Sequence, residues 1–334
     1  MFKNDFKKTA FSLIELSVVV LIIGILIAGI TAGSRLVRNS KLASAAQFTK
    51  SSDINSIPDL VLWLEPTQEN SFATTSTNSG NLNYANVASL QDANYIKDTL
   101  RPDNREYVAR WNDITPRAFP GNKKSVYQEI AAQRPMYIAN AINGLPAIQF
   151  DGSTQYLHSQ NNATTPSAPP LVAGDDSYTM IAVFSPSRVT AHNPILEQTP
   201  YNPVNGTTFT MYILNEKLIM SGYNNPYDIE SAFSMKNEEK YIAIIKSEDS
   251  SILSTDNLLF YLNNALDKKT FSTTNHSIGG DSFLLSGYVS SGTSVTRFFQ
   301  GYIGEVMVFD RALKNEEIDI INKYLSKKWG IALK

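Results

Sequence analysis

Residues 9–34 read T-A-F-S-L-I-E-L-S-V-V-V-L-I-I-G-I-L-I-A-G-I-T-A-G-S, an apolar run interrupted by a single charged side chain, Glu15. A run of roughly 20 apolar residues is long enough to cross a bilayer as a helix. A charge well inside such a helix costs roughly 2.5–3.5 kcal/mol on insertion scales. Glu15 therefore either sits at the membrane edge or meets a counter-charge there. Lys3, Lys7 and Lys8 precede the run, and Arg35, Arg38 and Lys41 follow it. The leading lysines favour a cytoplasmic N-terminus, but the basic residues on the far side leave the charge count undecided.

The segment Lys7–Gly33 resembles type IV prepilins and the related pseudopilins of type II secretion systems. The likeness lies in the order of basic residues, small residue, Phe and Glu in K-K-T-A-F-S-L-I-E-L. It implies that a prepilin peptidase cuts between Ala10 and Phe11, that the new Phe11 amine is methylated, and that Glu15 becomes the fifth mature residue. The family usually has Gly before the cut, where this chain has Ala10. The physics suits this role. The Phe11 amine would be a cation in the first turn, with Glu15 one turn along on the same face. A carboxylate also complements the dipole at a helix N-terminus. In a filament core, the amine of a neighbouring subunit would neutralise Glu15 and set the register. The competing readings are an acid resting at the membrane surface, and a secretory signal cut near Ala43-Ser44-Ala45. Against the signal stand the length of the run, its acid, and the three basic residues before that site.

From Ser34 to Lys50 the chain has good helix formers and neither Pro nor Gly, so the helix is expected to continue to Lys50. Gly24, Ala28 and Ala32, and also Gly29 and Gly33, recur four apart, a spacing that lets membrane helices approach closely. The expected division is a leader at 1–10, a transmembrane and assembly helix at 11–50, a linker at 51–56 and a β-sandwich at 57–334.

The chain has 334 residues, of which 18% are charged and 10% aromatic, with a formal net charge of -2. That gives no basic footprint for nucleic acid. It has no Cys, which excludes disulfides, thiolate metal sites and Cys nucleophiles. The part from Ile57 onward suffices for one large or two modest domains. Short apolar or alternating runs recur there between turn signals, among them Leu60–Leu64, Ala147–Phe150, Tyr178–Phe184, Phe209–Leu214, Tyr241–Ile245, Leu258–Leu262 and Phe298–Phe309. Asn215-Glu216 and Asn263-Asn264 sit where tight hairpin turns belong. This spacing predicts an antiparallel sandwich. Ser71–Asn83 and Ser159–Pro170, rich in Ser, Thr and Asn, read as long loops. At the end, Ile318, Ile321, Tyr324, Leu325 and Trp329 recur at helical spacing, with acids early, lysines late and Gly330 placed to stop the helix.

Four further pieces resemble the laminin-G-like or concanavalin-A-like jelly rolls of bacterial surface proteins: L-V-L-W-L at 60–64, W-N-D at 111–113, N-G-L-P-A-I-Q-F-D-G-S-T-Q-Y-L at 143–157 and G-Y-I-G-E-V-M-V-F-D-R-A-L at 301–313. The resemblance implies a mainly β jelly-roll fold that hosts lectins, hydrolases and adhesion modules alike. Where the family often has Asp, this chain has Gly304, which weakens the case for Ca2+; no other cofactor or metal is expected. Glu317-Ile318-Asp319 mimics the paired acids of jelly-roll glycosidases. On a helix, however, the two acids point about 200° apart and read as a solvated face. His158, His192 and His276 have no second ligand at metal-like spacing. Asp151-Gly152 reads as a turn. Asp113 and Asp151 remain the first choices for a cation or sugar.

Together these readings give the expectation of a non-enzymatic, pilin-like and minor subunit, set in the inner membrane by one helix with its head outside. It would be cut by a prepilin peptidase, pack with other pilin subunits and membrane lipid, and bind carbohydrate or a host-surface protein. The alternatives are a type II secretion pseudopilin and a surface-tethered glycoside hydrolase.

Overall fold

A computed structural model describes residues 13–68, 71–75, 106–116, 123–159, 171, 177–199, 209–222, 228–248, 255–272, 282–291 and 294–334. Ala10, Phe11 and His276 lie outside them. Helix α1 runs unbroken over Leu13–Lys50, 38 residues. Around Leu13–Ile30 its large apolar side chains are exposed. It is long and apolar enough to cross a membrane. At its other end Leu42, Ala45 and Thr49 are buried, a spacing that marks one face over two turns. The segment expected as a linker contains a 3-10 turn, Asp53–Ser56, whose Ile54 is fully buried. Asn55 Nδ2 donates to the carbonyls of Thr49 and Lys50, at 3.2 Å each, which satisfies the open end of α1.

The strands are β1 Leu60–Leu64, β2 Phe72–Thr75, β3 Glu106–Trp111, β4 Val126–Tyr127, β5 Met136–Ile142, β6 Leu145–Asp151, β7 Leu157–His158, β8 Tyr178–Pro186, β9 Asn193–Thr199 and β10 Phe209–Leu214. They continue with β11 Lys217–Gly222, β12 Ile229–Glu230, β13 Tyr241–Glu248, β14 Thr255–Leu262, β15 Ala265–Ser272, β16 Ser282–Leu285, β17 Tyr288–Ser291, β18 Ser294–Thr296 and β19 Gln300–Phe309, before helix α2 at Asn315–Trp329. All named pairings are antiparallel, as the sequence pattern predicts. The inner sheet runs β15-β14-β13-β8-β19. The far edge of β19 pairs with β1 through its C-terminal half and with β6 through its N-terminal half. The outer sheet runs β12-β11-β10-β9-β16-β7-β4-β3-β2, and β5 joins the two by pairing with both β6 and β3.

Alternation along the strands makes three layers. On β8, Tyr178, Met180, Ala182 and Phe184 enter the core between the sheets, while Ile181 and Val183 face the helices. On β13, Tyr241, Ala243 and Ile245 enter the same core, with Ile242 and Ile244 on the helix side. Ile318, Ile321, Tyr324, Leu325 and Trp329 of α2 cover that side together with Ala45 of α1. Gly330 ends α2 at φ 62°, and its N–H donates to the Ser326 carbonyl. The two hairpin turns sit where their Asn residues predict. Asn215 and Glu216 have φ of 48° and 64°, and Asn263 and Asn264 have 50° and 71°, so both central residues are left-handed. One expectation needs correction: Phe72–Thr75, read as loop, is β2, because Phe72 is buried against Trp111 and Tyr137 at ring distances of 5.3 and 5.5 Å. Ser159 is likewise held in the fold, its Oγ accepting the Phe283 N–H at 2.9 Å.

Candidate functional site

The last turns of α1 dock on the helix-covered face of the sandwich. The Phe48 ring stacks on Tyr324 at 5.4 Å, and Lys327 Nζ lies 4.8 Å from the Phe48 ring centre. Gln68 Nε2 donates to the Ala46 carbonyl at 3.0 Å, and Lys41 Nζ donates to the Asn143 carbonyl. Beneath them is a buried ionic knot. Lys328 Nζ of α2 pairs with the Glu65 carboxylate and with Glu305 Oε2 at 2.9 Å. It also reaches Thr49 Oγ1 at 2.8 Å and the Tyr324 hydroxyl at 3.0 Å. Both carboxylates have further donors. Trp63 Nε1 and the Tyr324 hydroxyl donate to Glu305 Oε1 at 2.8 and 2.9 Å, and Trp329 Nε1 donates to Oε2 at 2.8 Å. Glu65 accepts the Thr67 N–H, the Thr67 hydroxyl and the Gln68 N–H. Burial pushes the Glu305 carboxyl up, Lys328 opposes this, and the nearby Glu65 adds to it. One ammonium thus serves two carboxylates and joins α1, the end of β1, β19 and α2.

Glu15 lies in the first turn of α1, on an exposed surface. A Cβ added at Gly24, Gly29 or Gly33 would meet nothing within 4 Å, so within this chain the small residues pack against nothing.

Both candidate ligand residues serve the fold. Asp113 is buried. Its Oδ1 accepts the N–H of Trp63 at 3.0 Å, the N–H of Thr115 at 2.9 Å and the Thr115 hydroxyl at 2.6 Å, and its Oδ2 accepts the Lys124 N–H at 3.0 Å. Three donors thus share Oδ1 and one engages Oδ2, so the carboxylate is held mainly by its own fold. Asp151 closes an exposed turn. It accepts the N–H groups of Ser153, Thr154 and Gln155 at 2.8, 3.0 and 3.2 Å and the Ser153 hydroxyl at 2.6 Å. Burial pushes its carboxyl up, but these bonds outweigh burial and hold it below the usual range. Among the described residues no three His, Asp or Glu side chains gather as a metal site would need. Glu317 is a capping residue, not half of an acid pair. It takes Arg311 through both oxygens at 2.8 Å and accepts the Lys314 N–H at 2.8 Å. Asp319 points elsewhere and is exposed.

The outer sheet carries polar and aromatic groups that sequence reading did not bring together. Cross-strand register places Arg110, Tyr127, His158, Leu284, Glu197 and Thr210 in one row. Their chain neighbours Trp111, Val126, Leu157, Leu285, Leu196 and Met211 face the core. His158 Nε2 meets Glu129 Oε2 at 2.9 Å. Burial raises the Glu129 carboxyl, but the hydrogen bond and charge of His158 outweigh it and hold it low. Glu197 is fully buried, and burial pushes it up to about 8. Its Oε1 accepts the Val289 N–H of β17 at 3.1 Å, which pins the β17–β18 hairpin to β9. Beside it the His192 ring stacks on Tyr212 at 4.1 Å and meets Tyr288 edge-on at 5.4 Å. Burial pushes His192 down to about 4, and Arg297 and Arg188 push the same way against Asp228.

A family model described as the concanavalin A-like lectin/glucanases superfamily matches residues 152–319. A second, described as the prokaryotic N-terminal methylation motif, matches residues 5–31. Among solved structures, a GH54 α-L-arabinofuranosidase soaked with a cyclic sulfate inhibitor is 12% identical with a TM-score of 0.51, over 85% of this chain and 65% of that one. The Ruminococcus gnavus IT-sialidase CBM40 bound to α2,3-sialyllactose is 16% identical with a TM-score of 0.40, over 53% of this chain and 95% of that one. The NanB sialidase from Streptococcus pneumoniae is 15% identical with a TM-score of 0.36, over 44% of this chain and 24% of that one. No curated protein matches the chain. At such identity the arabinofuranosidase bears on the fold alone. The match to the sandwich runs from the turn after β6 into α2, and the methylation motif runs into α1. The chain therefore belongs to the concanavalin A-like lectin/glucanases superfamily and carries that domain behind a prokaryotic N-terminal methylation motif.

Proposed function

We propose that this chain is a minor, pilin-like subunit of a type IV pilus or pseudopilus that displays a lectin-like head for binding glycan or a surface protein. The observation that carries the reading is the construction of α1. A methylation motif opens into a helix whose first half is apolar and exposed, and whose last turns are locked to a concanavalin A-like head. Helix and head then move as one piece, which suits a subunit that must hold its domain out from an assembly. In this reading a prepilin peptidase cuts between Ala10 and Phe11, Glu15 takes the Phe11 amine of a neighbouring subunit, and α1 rests in the inner membrane before assembly. The head lies outside the cytoplasm. The head is large for a close-packed filament repeat, which favours a minor or tip position.

Mass spectrometry of the protein extracted from membranes tests the processing step. The expected N-terminus is a methylated Phe11, and an intact Met1 would overturn the assembly role. Fractionation between inner membrane and sheared surface filaments separates a pilus subunit from a secretion pseudopilin.

A further inference from the structure

On the outer face of the outer sheet, where β17 lies against β9, Arg188, His192, Tyr288 and Arg297 meet. Arg297 leaves β18 with φ 56°, a left-handed conformation that a long side chain seldom adopts. Such strain persists only where the surroundings hold it, and it gathers at functional positions. Its guanidinium lies 4.9 Å from the centre of the Tyr288 ring and is exposed. Arg188 is fixed by Nη2, which donates to the Phe298 carbonyl at 2.8 Å, while its Nε is buried without a partner. The Nδ1 of His192 is buried without a partner as well. Its ring is neutral above about pH 4, so one ring nitrogen keeps its proton as a donor.

The Arg297 guanidinium can only donate, so what it offers a ligand is donor capacity and positive charge. Among the described residues no carboxylate pairs with Arg188 or Arg297. Asp228 and Glu230 border Tyr212, whose hydroxyl Asp228 accepts, Asp228 also acts on His192, and the buried Glu197 feels the charge of Arg297. Planar guanidinium groups match carboxylates in both shape and charge. A half-buried ring supplies the apolar surface on which the face of a sugar can rest.

We propose that this surface binds a saccharide bearing a carboxylate, with the acid held by the exposed guanidinium of Arg297 and the sugar ring resting against His192. Tyr288 serves as the platform that keeps the Arg297 guanidinium in place. The proposal rests on the reading of the head as a glycan binder and names the site and the ligand class.

The test uses the full chain in detergent micelles on an array carrying uronate-containing and sialylated glycans beside neutral ones. Acidic glycans should be retained, and their methyl esters should bind about tenfold more weakly or worse, since a hydrogen bond to a charged group is worth about 1.5–3 kcal/mol. Free oligogalacturonate should compete, and its methyl ester should not. Arg297→Gln should lose a similar factor while its melting temperature stays unchanged. Retention of neutral glycans alone, or acidic binding indifferent to Arg297→Gln, overturns the site and leaves the glycan-binding reading standing. No retention of any glycan overturns both.

Discussion

At the residue scale, two buried ionisable sites show opposite solutions, one a paired knot and the other a carboxyl held protonated by burial. Lys328 answers two carboxylates at once, and its side chain is fully buried. Such a knot gives little net stability, because desolvating three charges offsets most of their attraction. Breaking it is costly. Lys328→Met should lower unfolding stability by about 3–5 kcal/mol, because Glu65 and Glu305 would stay buried without a counter-charge. The loss should be smaller at pH 5 than at pH 8, since protonation removes the stranded charge; chemical denaturation at both values checks this. Glu197 is the neutralised case. Its folded value is raised to about 8 from an ordinary 4.5, so it favours the folded state fully below about pH 4.5. That contribution is lost as pH rises toward 8, with a slope on the order of 1 kcal/mol per pH unit. Glu197→Gln keeps the shape of the protonated acid and should flatten the fall in urea midpoint between pH 5 and pH 8. Glu305 is shifted in the same direction, so part of the slope should remain.

At the element scale, the packing of β19 against α2 explains a departure from the family pattern. A Cβ at Gly304 would come within 2.6 Å of the Trp329 ring, which is fully buried. The position is closed to any larger residue by its neighbour, whatever oxygen ligand other chains place there. Gly304→Ala should cost about 1–3 kcal/mol by overpacking. In Gly304→Ala/Trp329→Phe the smaller ring should relieve the clash, so the double variant loses less than the sum of the two single changes. Thermal melts of the four proteins measure that coupling. Elements with strong patterns were legible from sequence: α1, α2, β8, β13 and both Asn-led hairpin turns carry their period or turn chemistry locally. Two strands, β3 and β5, were missed although Tyr107, Val108, Trp111, Tyr137 and Ile138 carry a β signal, while others lack a local signal altogether. The two-residue strands β4, β7 and β12 are too short to show a period. In β15 the edge strand carries three consecutive charges, Asp267, Lys268 and Lys269, which protect an open edge and read as loop. In β9 Pro194 argues against a strand, and its buried Asn193, Glu197 and Gln198 conceal that both faces are covered. The ionic knot was not legible at all. Glu65, Glu305 and Lys328 come from distant parts of the chain, and charged residues are by default placed at the surface. Asp113 stood out as a significant acid, but the N–H groups of Trp63 and Lys124 that it accepts come from elsewhere in the chain and are assembled by the fold.

At the scale of the whole molecule, α1 joins two environments with a short interval between them. The exposed apolar run Leu13–Ile30 covers about 27 Å of helix, close to the hydrocarbon thickness of a bilayer. Docking on the head begins at Leu42, about 12 Å past Ser34 at the same rise per residue. The head is thus carried close to the point where the apolar run ends, and Arg35 and Arg38 fall in the interval where basic side chains meet lipid headgroups, while Lys41 is bonded to the Asn143 carbonyl of the head. Glu15 lies at the opposite end of the rod, about 40 Å from the first docking residue. A change there cannot reach the Lys328 knot or the core of the sandwich through any packed contact, so it separates assembly from folding. Glu15→Ala should leave the melting temperature of the extracted protein unchanged. Membrane insertion should also persist, because removing a charge from an apolar helix lowers its insertion cost. The variant should nevertheless fall sharply in the sheared-filament fraction, since a neighbouring subunit's Phe11 amine would then enter an apolar contact with no carboxylate to meet it. Immunoblots of membrane and filament fractions read this directly. Incorporation at the wild-type level would mean that Glu15 is only an acid resting at the membrane surface. Loss of both membrane protein and filament protein would instead place its role in stability or insertion.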